Sequence, residues 1–265
     1  MPYLKSLNIS ASKQNPFPYN VSAIKFAKQL DLSNKITFII GDNGTGKSTL
    51  LETIAFRLQL PHMDGSEYSK SAFNAATKLS ADLELEFNIS RTRGFFFRAE
   101  DFGDYLNSIN RADLHSYLNS LEGEVPEAII NEMKESSNAQ ISHMRKNYGQ
   151  ELTSFSHGEA YLKIIQDKVT TPGIYLLDEP EAALSPARQL ALIFQIVEHL
   201  RSNQSQFIIA THSPIIMSIP NAIIYEVSED GMNKTALEDT EHYRITKGFL
   251  NNPEMYLRHL IKEKG

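Results

Sequence analysis

Residues 41–48 read Gly41-Asp42-Asn43-Gly44-Thr45-Gly46-Lys47-Ser48, which is the pattern G-x-x-x-x-G-K-[ST]. Apart from Lys35, the residues before it, 35–40, are β-branched or apolar and predict a buried strand. The residues after it, 48–56, carry apolar side chains at helical spacing. A strand, a glycine-rich turn and a helix start are the context in which this pattern binds nucleotides. We therefore favour a nucleotide site over a plain glycine-rich turn, with ATP or GTP as the ligand.

The loop residues differ in the chemistry that each can supply to a triphosphate. The glycines allow the backbone to pass close to the phosphates, so that its N–H groups and the following helix start face the negative charge. Lys47 is predicted to reach the β- and γ-phosphates, and the hydroxyl of Ser48 is predicted to bind Mg²⁺. The predicted nucleotide ligands in this segment are Gly41, Asp42, Asn43, Gly44, Thr45, Gly46, Lys47, Ser48 and Thr49.

Composition excludes several other kinds of protein. The chain has 265 residues, of which 41% are hydrophobic and 22% are charged, as is ordinary for a globular domain. It has no cysteine, which excludes disulfides, thiolate zinc sites and cysteine nucleophiles. The net charge of −6 excludes a nucleic-acid-binding polycation, although a local basic groove stays open. Because no apolar stretch reaches the roughly 18 residues of a membrane span, we expect a cytoplasmic protein.

Hydrophobic patterns beyond the loop predict an α/β fold. Apolar runs at 173–177, 206–210 and 222–227 predict buried strands, and the helical patterns between them predict a mostly parallel sheet. Residues 82–89 alternate between apolar and polar, which predicts an antiparallel strand with one wet face. Residues 3–9 also alternate and predict an edge strand. The prediction is therefore a mostly parallel core with an antiparallel β subdomain.

Two helical regions complete the predicted frame. Ser185-Pro186 predicts a helix start, with serine as the N-cap and proline in the first turn. The apolar face predicted for this helix consists of Leu190, Ile193, Phe194 and Val197. Between 102 and 150 polar residues dominate, with scattered apolar residues at helical spacing, which predicts a small helical insertion. We expect one domain over residues 1–265 that contains this insertion.

A second motif follows the predicted strand at 173–177. The strand is succeeded by Asp178-Glu179-Pro180. Asp178, at the strand end, is predicted to bind Mg²⁺, and Glu179 is predicted to polarise the attacking water as a general base. An acidic surface turn is the alternative for the motif alone. Together with the phosphate loop, however, the motif favours a nucleotide hydrolase.

With these motifs the chain resembles the ABC-type ATPases over nearly its whole length apart from the helical insertion. Phe155-Ser156-His157-Gly158-Glu159 lies where that family carries its signature L-S-G-G-Q, and it matches at Ser156 and Gly158. Ser156 and Glu159 also form a capping-box pattern, which is compatible with the signature reading. The resemblance implies that Ser156, Gly158 and Glu159 contact the γ-phosphate of an ATP bound by the opposite subunit.

Two further segments match the family by position. Residues 181–185 correspond to the D-loop, which in the family crosses the dimer interface. Thr211-His212-Ser213-Pro214 corresponds to the switch histidine, so that His212 is expected to sense or hold the γ-phosphate. The resemblance thus implies a catalytic set of Lys47, Glu179 and His212, with ATP and Mg²⁺ as cofactors.

The family's glutamine near the metal has no direct counterpart. The best positional match is the segment 95–100, where Glu100 is a candidate metal or water ligand and Arg98 a candidate phosphate ligand. Either residue is as readily a plain surface charge. For the aromatic side chain that stacks on adenine, the candidates are Phe17, Tyr19 and Phe26, although packing is the more common role for any one of them.

Glu181 and Ser213-Pro214 differ from the residues usual in the family's membrane-transporter subunits and resemble those of its soluble branch. That branch contains RecF-like and chromosome-maintenance ATPases and the ATPase domains of overcoming-lysogenisation-defect nucleases. It implies an ATP-dependent head-to-tail homodimer that hydrolyses ATP and regulates a partner protein or nucleic acid, in DNA repair or phage defence. The helical insertion is the expected partner surface. The alternatives are the nucleotide-binding subunit of a membrane transporter and a module that hydrolyses ATP poorly.

Overall fold

The computed structural model describes residues 2–10, 16–62, 74–89, 93–102, 157–202 and 205–261. The strands are β1 (Leu4–Ile9), β2 (Leu30–Asp31), β3 (Ile36–Gly41), β4 (Leu83–Phe87), β5 (Gly94–Arg98), β6 (Ile174–Asp178), β7 (Gln206–Ala210), β8 (Ile223–Val227) and β9 (Met232–Thr235). The helices are α1 (Ser22–Lys25), α2 (Lys47–Leu58), α3 (Asn74–Ser80), α4 (His157–Lys168), α5 (Pro186–Ser202), α6 (Pro214–Met217), α7 (Glu241–Asn251) and α8 (Pro253–Ile261). The predicted helical insertion, beyond residue 102, lies outside the described residues.

The larger sheet has six strands in the order β5-β6-β7-β3-β8-β9. Its first five strands pair in parallel, and β9 pairs antiparallel with β8. Every residue of β3, β6 and β7 is buried, as expected for central strands that are covered by helices on both faces. The α/β class and the mostly parallel sheet predicted from the sequence are therefore confirmed.

The smaller sheet is antiparallel, with the order β2-β1-β4. The antiparallel strand predicted at 82–89 is confirmed as β4. The prediction that residues 3–9 form an edge strand is wrong, because β1 lies between β2 and β4. Alternation reports one wet face but carries no information on how many neighbours a strand has, which explains the error.

Apolar side chains fill both faces of the larger sheet. On one face α2 contributes Leu50, Leu51 and Ile54, and on the other face α5 packs Leu192 and Ile196. The predicted apolar face of α5 is thus wrong in part, since Leu190 and Phe194 are exposed. Both pairs are spaced by four residues, so helical periodicity alone could not select the buried one.

Two helices close the described part of the chain, and the first of them, α7, contacts β8 of the larger sheet at its start. Thr240 caps α7 by accepting a hydrogen bond from the backbone N–H of Tyr243. Asn252 precedes α8 and caps it, because its Oδ1 accepts a hydrogen bond from the backbone N–H of Met255 at 3.1 Å. These helices matter for the site because the start of α7 reaches it.

Candidate functional site

The carboxyl ends of β3, β6 and β7 meet at one edge of the larger sheet. Asp178 at the end of β6 pairs in register with Ala210 at the end of β7, and Ala210 pairs with Ile39 near the end of β3. In open parallel sheets, ligands bind beyond this edge. The register therefore brings together three segments that are far apart in the sequence: the phosphate loop, the acidic pair and the histidine loop.

The phosphate loop turns tightly between β3 and α2. Gly41 has φ of 142°, and a Cβ there would lie 2.3 Å from the carbonyl oxygen of Val227. Gly46 has φ of 90°, and its Cβ would lie 2.6 Å from a methyl group of Val21. Both positions therefore require glycine for conformation and for space. The helix α2 begins directly at Lys47, so its first N–H groups face the loop.

Lys47 is buried inside this loop, with only 4% of its surface exposed. Its ammonium donates hydrogen bonds to the carbonyl oxygens of Gly41 at 2.8 Å and Asp42 at 3.0 Å. Burial lowers the pKa of Lys47, while the nearby carboxylates of Glu179 and Asp178 oppose that shift. The amine is thus held at the mouth of the loop, beside the acidic pair.

Asp178 is a buried carboxylate whose hydrogen bonding is incomplete. It is 2% exposed, and its Oδ1 atom has no hydrogen-bond partner. Burial raises its pKa to about 7, although a hydrogen bond from Ser48 opposes the shift. A buried carboxylate oxygen without a partner is costly for the fold, which points to a ligand that satisfies it. A divalent cation fits, because carboxylate and hydroxyl oxygens are the donors that Mg²⁺ prefers.

Glu179 has a strained backbone and a side chain that reaches solvent. Its φ is 48°, in the left-handed region that non-glycine residues seldom adopt, and its N–H donates to Ala210 O at 2.9 Å. The side chain is 42% exposed and places Oε1 3.4 Å from His212 Nε2. Strain of this kind persists at functional sites when neighbouring bonds hold it in place.

His212 follows β7 and contacts two other side chains through its ring nitrogens. Its Nε2 atom faces Glu179, and its Nδ1 atom lies 3.0 Å from Nε2 of His242. Burial lowers the pKa of His212, and the charge of Lys47 lowers it further, whereas Glu179 opposes both effects. A neutral imidazole is therefore favoured, which can donate only one hydrogen bond.

Glu181 anchors the histidine loop, a role that the sequence did not reveal. Its Oε1 accepts a hydrogen bond from the backbone N–H of His212 at 2.6 Å, and the hydroxyl of Thr211 also donates to it. Burial raises the pKa of Glu181, and its Oε2 atom has no partner. The acidic segment and the histidine loop are thereby joined by a direct bond. Sequence reasoning missed it because the contact spans unrelated segments.

Arg98 and Glu100 belong to a charged cluster beside the loop. The guanidinium of Arg98 lies 2.7 Å from Glu52, 2.8 Å from Asp101 and 2.9 Å from Glu100. The candidate metal ligand Glu100 is 70% exposed. Three carboxylates thus surround the arginine, which weakens the case for it as a phosphate ligand. The assignment of Glu100 to the metal stays a prediction.

Some of the remaining predicted residues lie within the described part of the chain, and others do not. Ser156 lies outside the described residues, and Gly158 and Glu159 lie in the first turn of α4. Of the aromatic candidates for adenine, Tyr19 is buried and its hydroxyl donates to Asp82. Phe17 is exposed. Packing therefore accounts for Tyr19, and Phe17 stays a candidate.

The described residues contain neither a self-contained metal cluster nor a membrane-spanning helix. No group of three or more His, Asp or Glu side chains there is arranged to hold a metal ion by itself. None of the helices in the described part of the chain is both long and apolar enough to cross a membrane.

Comparison with known proteins places the chain in a family. The model of the RecF/RecN/SMC N-terminal domain matches residues 20–234. The phosphate import ATP-binding protein PstB of Aeropyrum pernix is 25% identical over 225 residues, which cover 81% of this chain and 86% of that protein. The tungstate uptake system ATP-binding protein TupC of Peptoclostridium acidaminophilum is 25% identical over 184 residues, which cover 68% of this chain and 76% of that protein.

The solved structures that match the chain include an ABC transporter and an Smc head domain. An inward-facing metal-chelate type ABC transporter has a TM-score of 0.48 at 16% identity, covering 93% of this chain and 88% of that one. An Smc head domain bound to the C-terminal domain of ScpA, from Pyrococcus furiosus, has a TM-score of 0.47 at 15% identity, covering 94% of this chain and 99% of that one. With the family model and the motifs already described, the chain belongs to the RecF/RecN/SMC N-terminal domain family of ABC-type ATPases, which bind and hydrolyse ATP.

Proposed function

We propose that this sheet edge is the site where the chain binds ATP with Mg²⁺ and hydrolyses it. The loop Gly41–Thr49 surrounds the phosphates with backbone N–H groups, and Lys47 turns from the loop carbonyls to the β- and γ-phosphates. Ser48 and Asp178 hold Mg²⁺, which, when bound, neutralises charge on the phosphate oxygens. Glu100 remains a candidate for a further ligand of the same ion.

Glu179 and His212 divide the remaining chemistry. The carboxylate of Glu179 orients the attacking water and accepts its proton, for which its partial exposure leaves room. His212 donates a hydrogen bond from Nε2 to an oxygen of the γ-phosphate, where charge accumulates in the transition state. The observation that carries the proposed ATP site is the unpartnered Oδ1 of the buried Asp178 beside Ser48, because a cation bound at the phosphate loop would satisfy this oxygen.

The proposed action is a nucleotide-gated dimer. Two copies would pack head to tail, so that Ser156, Gly158 and Glu159 of one copy close over the γ-phosphate held by Lys47 of the other. ATP binding then stabilises the dimer, and hydrolysis releases it. One domain over residues 1–265 would present the insertion 102–150 to a partner protein or nucleic acid. The soluble-branch motifs favour work in DNA repair or phage defence.

A second candidate function is the nucleotide-binding subunit of a membrane transporter. It is favoured by the relatives PstB and TupC, which are named for phosphate import and tungstate uptake. Co-purification of the chain with a membrane protein from its own cells would support this function. The residues Glu181 and Ser213-Pro214, which depart from the usual transporter motifs, favour the soluble switch.

The dimer can be tested by light scattering with the Glu179→Gln variant, which should bind ATP without hydrolysing it. We expect a monomer without nucleotide and a dimer with Mg²⁺ and ATP. Lys47→Ala is the matched control, because it should stay monomeric under both conditions. A Glu179→Gln protein that stays monomeric with bound ATP would contradict the homodimer and direct attention to a different partner chain.

A further inference from the structure

His242 lies against the histidine of the proposed site although it comes from the other end of the fold. It is the second residue of α7, and its Nε2 atom is 3.0 Å from Nδ1 of His212. The two ring centroids are 5.1 Å apart, at an interplanar angle of 51°. His242 also lines a groove that includes the phosphate loop from Gly41 to Thr45. It is therefore part of the surroundings of the nucleotide site.

The position of His242 is fixed by bonds on either side of it. Thr240 is fully buried, donates its hydroxyl to Leu237 O at 2.8 Å, and accepts from Tyr243 N at 3.3 Å. The N–H of Glu241 donates to Oε1 of Glu226 on β8 at 3.4 Å. These contacts hold the first turn of α7 against the larger sheet. The backbone of His242 is thus held beside the loop that carries His212.

The hydrogen bonds around the two rings determine where their hydrogens can lie. The Nδ1 atom of His242 is buried and has no partner. In a neutral His242 the ring hydrogen therefore belongs on Nε2, because on Nδ1 it would be buried without an acceptor. From Nε2 it donates to Nδ1 of His212. A neutral His212 must then carry its own hydrogen on Nε2. This nitrogen is also buried without a hydrogen-bond partner, but unlike Nδ1 of His242 it has a carboxylate acceptor nearby, Oε1 of Glu179 at 3.4 Å.

We propose that His242 is a positioning residue that fixes His212 as the Nε2–H tautomer and keeps that hydrogen directed at the γ-phosphate. This inference rests on the proposed role of His212. The loop that carries His212 is also anchored by Glu181 through its backbone N–H, so the two contacts have different tasks. Glu181 holds the main chain, while His242 holds the ring and selects its tautomer. Two charged groups also act on the ring of His212, Glu179 and Lys47, and both belong to the proposed nucleotide site.

The tautomer can be observed directly by ¹⁵N NMR of the histidine rings at pH 8, without nucleotide. The signal of His212 is assigned by its loss in His212→Asn. We expect wild-type His212 to show a protonated Nε2 and an unprotonated Nδ1. In His242→Leu, which removes the donor, we expect a mixture of the two tautomers. A wild-type His212 protonated on Nδ1, or an unchanged Nε2–H signal in a folded His242→Leu protein, would overturn the proposal.

Turnover supplies a second and independent measurement. We expect His242→Leu to lower kcat for ATP roughly 10-fold or more, as for other residues that orient a functional side chain, with little change in KM. His242→Gln should recover most of the loss, because its amide can donate to the same nitrogen. Equal rates for all three proteins would contradict the proposal. If His242→Leu fails to fold, the wild-type spectrum still decides.

The proposed role of His212 and the proposed role of His242 can fail separately. If His212→Asn hydrolyses ATP at the wild-type rate, the proposed role of His212 is wrong, whatever its tautomer. If His212→Asn is inactive while His242→Leu is folded and fully active, the proposed function stands and the role of His242 is wrong.

Discussion

Gln206 and Asp178 are buried polar side chains at opposite ends of neighbouring strands, and they differ in how fully they are hydrogen-bonded. The amide of Gln206 accepts from Leu4 N at 2.8 Å and donates to Leu32 O at 2.6 Å, with longer bonds to Leu4 O and Asn34 O at 3.2 Å. Asp178 has a hydrogen bond from Ser48 but leaves Oδ1 unpartnered. The first side chain joins the two sheets, whereas the second lies at the proposed nucleotide site.

This difference separates structural from functional burial of polar groups. A buried polar group with all its hydrogen bonds rigidifies the fold, because its removal leaves several buried partners without hydrogen bonds, which costs free energy. An unsatisfied one costs stability and persists where binding compensates for it. The strained backbone of Glu179, next to Asp178, is likewise typical of a functional site rather than of a structural one. The comparison thus predicts opposite outcomes for substitutions at the two ends of the sheet.

The largest expected effect is on catalysis at Asp178. Asp178→Asn should keep the fold but lower ATP turnover at least roughly 100-fold, because the amide cannot supply the charge that holds the cation at the phosphates. Steady-state turnover at several Mg²⁺ concentrations measures this effect. Turnover close to wild type at saturating Mg²⁺ would remove Asp178 from the proposed metal site.

The next effect concerns stability and pH in the protein without nucleotide or metal. The pKa of Asp178 is about 7 when folded, against 3.8 as its ordinary value. The unfolded chain therefore loses this proton first as the pH rises, so stability falls between about pH 4 and pH 7 and then levels off. The side chain of Asp178→Asn does not titrate, so this variant does not lose stability in that way. We expect its unfolding free energy, relative to that of the wild type, to rise on the order of 3 kcal/mol between pH 5 and pH 8.

Urea unfolding of both proteins across that pH range, in the presence of a chelator, provides the measurement. A stability difference that is the same at pH 5 and pH 8 would show that burial does not perturb Asp178. It would also weaken the contrast with Gln206.

At the other end of the sheet the expected effect is on stability alone. Gln206→Leu should lower the unfolding free energy by about 2–3 kcal/mol, because it leaves the backbone groups of Leu4 and Leu32 without their partner. Turnover per folded molecule should be unchanged. Gln195→Leu is the matched control, since Oε1 of Gln195 has no partner and its loss should be nearly neutral. Equal stability of the two variants would contradict the structural role of Gln206.

The smallest expected effect is at Glu100. If this exposed carboxylate contributes to the metal, Glu100→Gln should raise the Mg²⁺ concentration for half-maximal turnover, but no more than roughly threefold, since exposed charges are well screened. Glu84→Gln, on the exposed side of β4, is the control. An unchanged Mg²⁺ requirement would remove Glu100 from the metal site.

The parts of the molecule that could be predicted from sequence are those with local signals. The phosphate loop, the central strands and the helix α2 carry patterns within a few neighbouring residues. The family resemblance also implied that Lys47, Glu179 and His212 act together, and the structure shows the segments that carry them at the carboxyl ends of neighbouring parallel strands. That resemblance rests on these same short motifs.

What could not be predicted depends on contacts between distant segments. The side chain of Gln206 reaches residues 202 and 174 positions away, and Glu181 and His242 each reach His212 across 30 or 31 positions. No periodicity or motif marks such residues, because their partners are chosen by the packing of the sheets. The centre position of β1 and the buried face of α5 were mispredicted for the same reason.

Glu179 is proposed to act at a site built around Lys47 and Asp178, and its role is tested by comparing three proteins. ATP binding and turnover are compared for the wild type, Glu179→Gln and the exposed control Glu254→Gln on α8. We expect all three proteins to bind ATP, and Glu179→Gln alone to lose turnover by roughly 100-fold or more. Wild-type turnover in Glu179→Gln, or negligible turnover in the wild type itself, would show that Glu179 is not the general base of an ATP hydrolase.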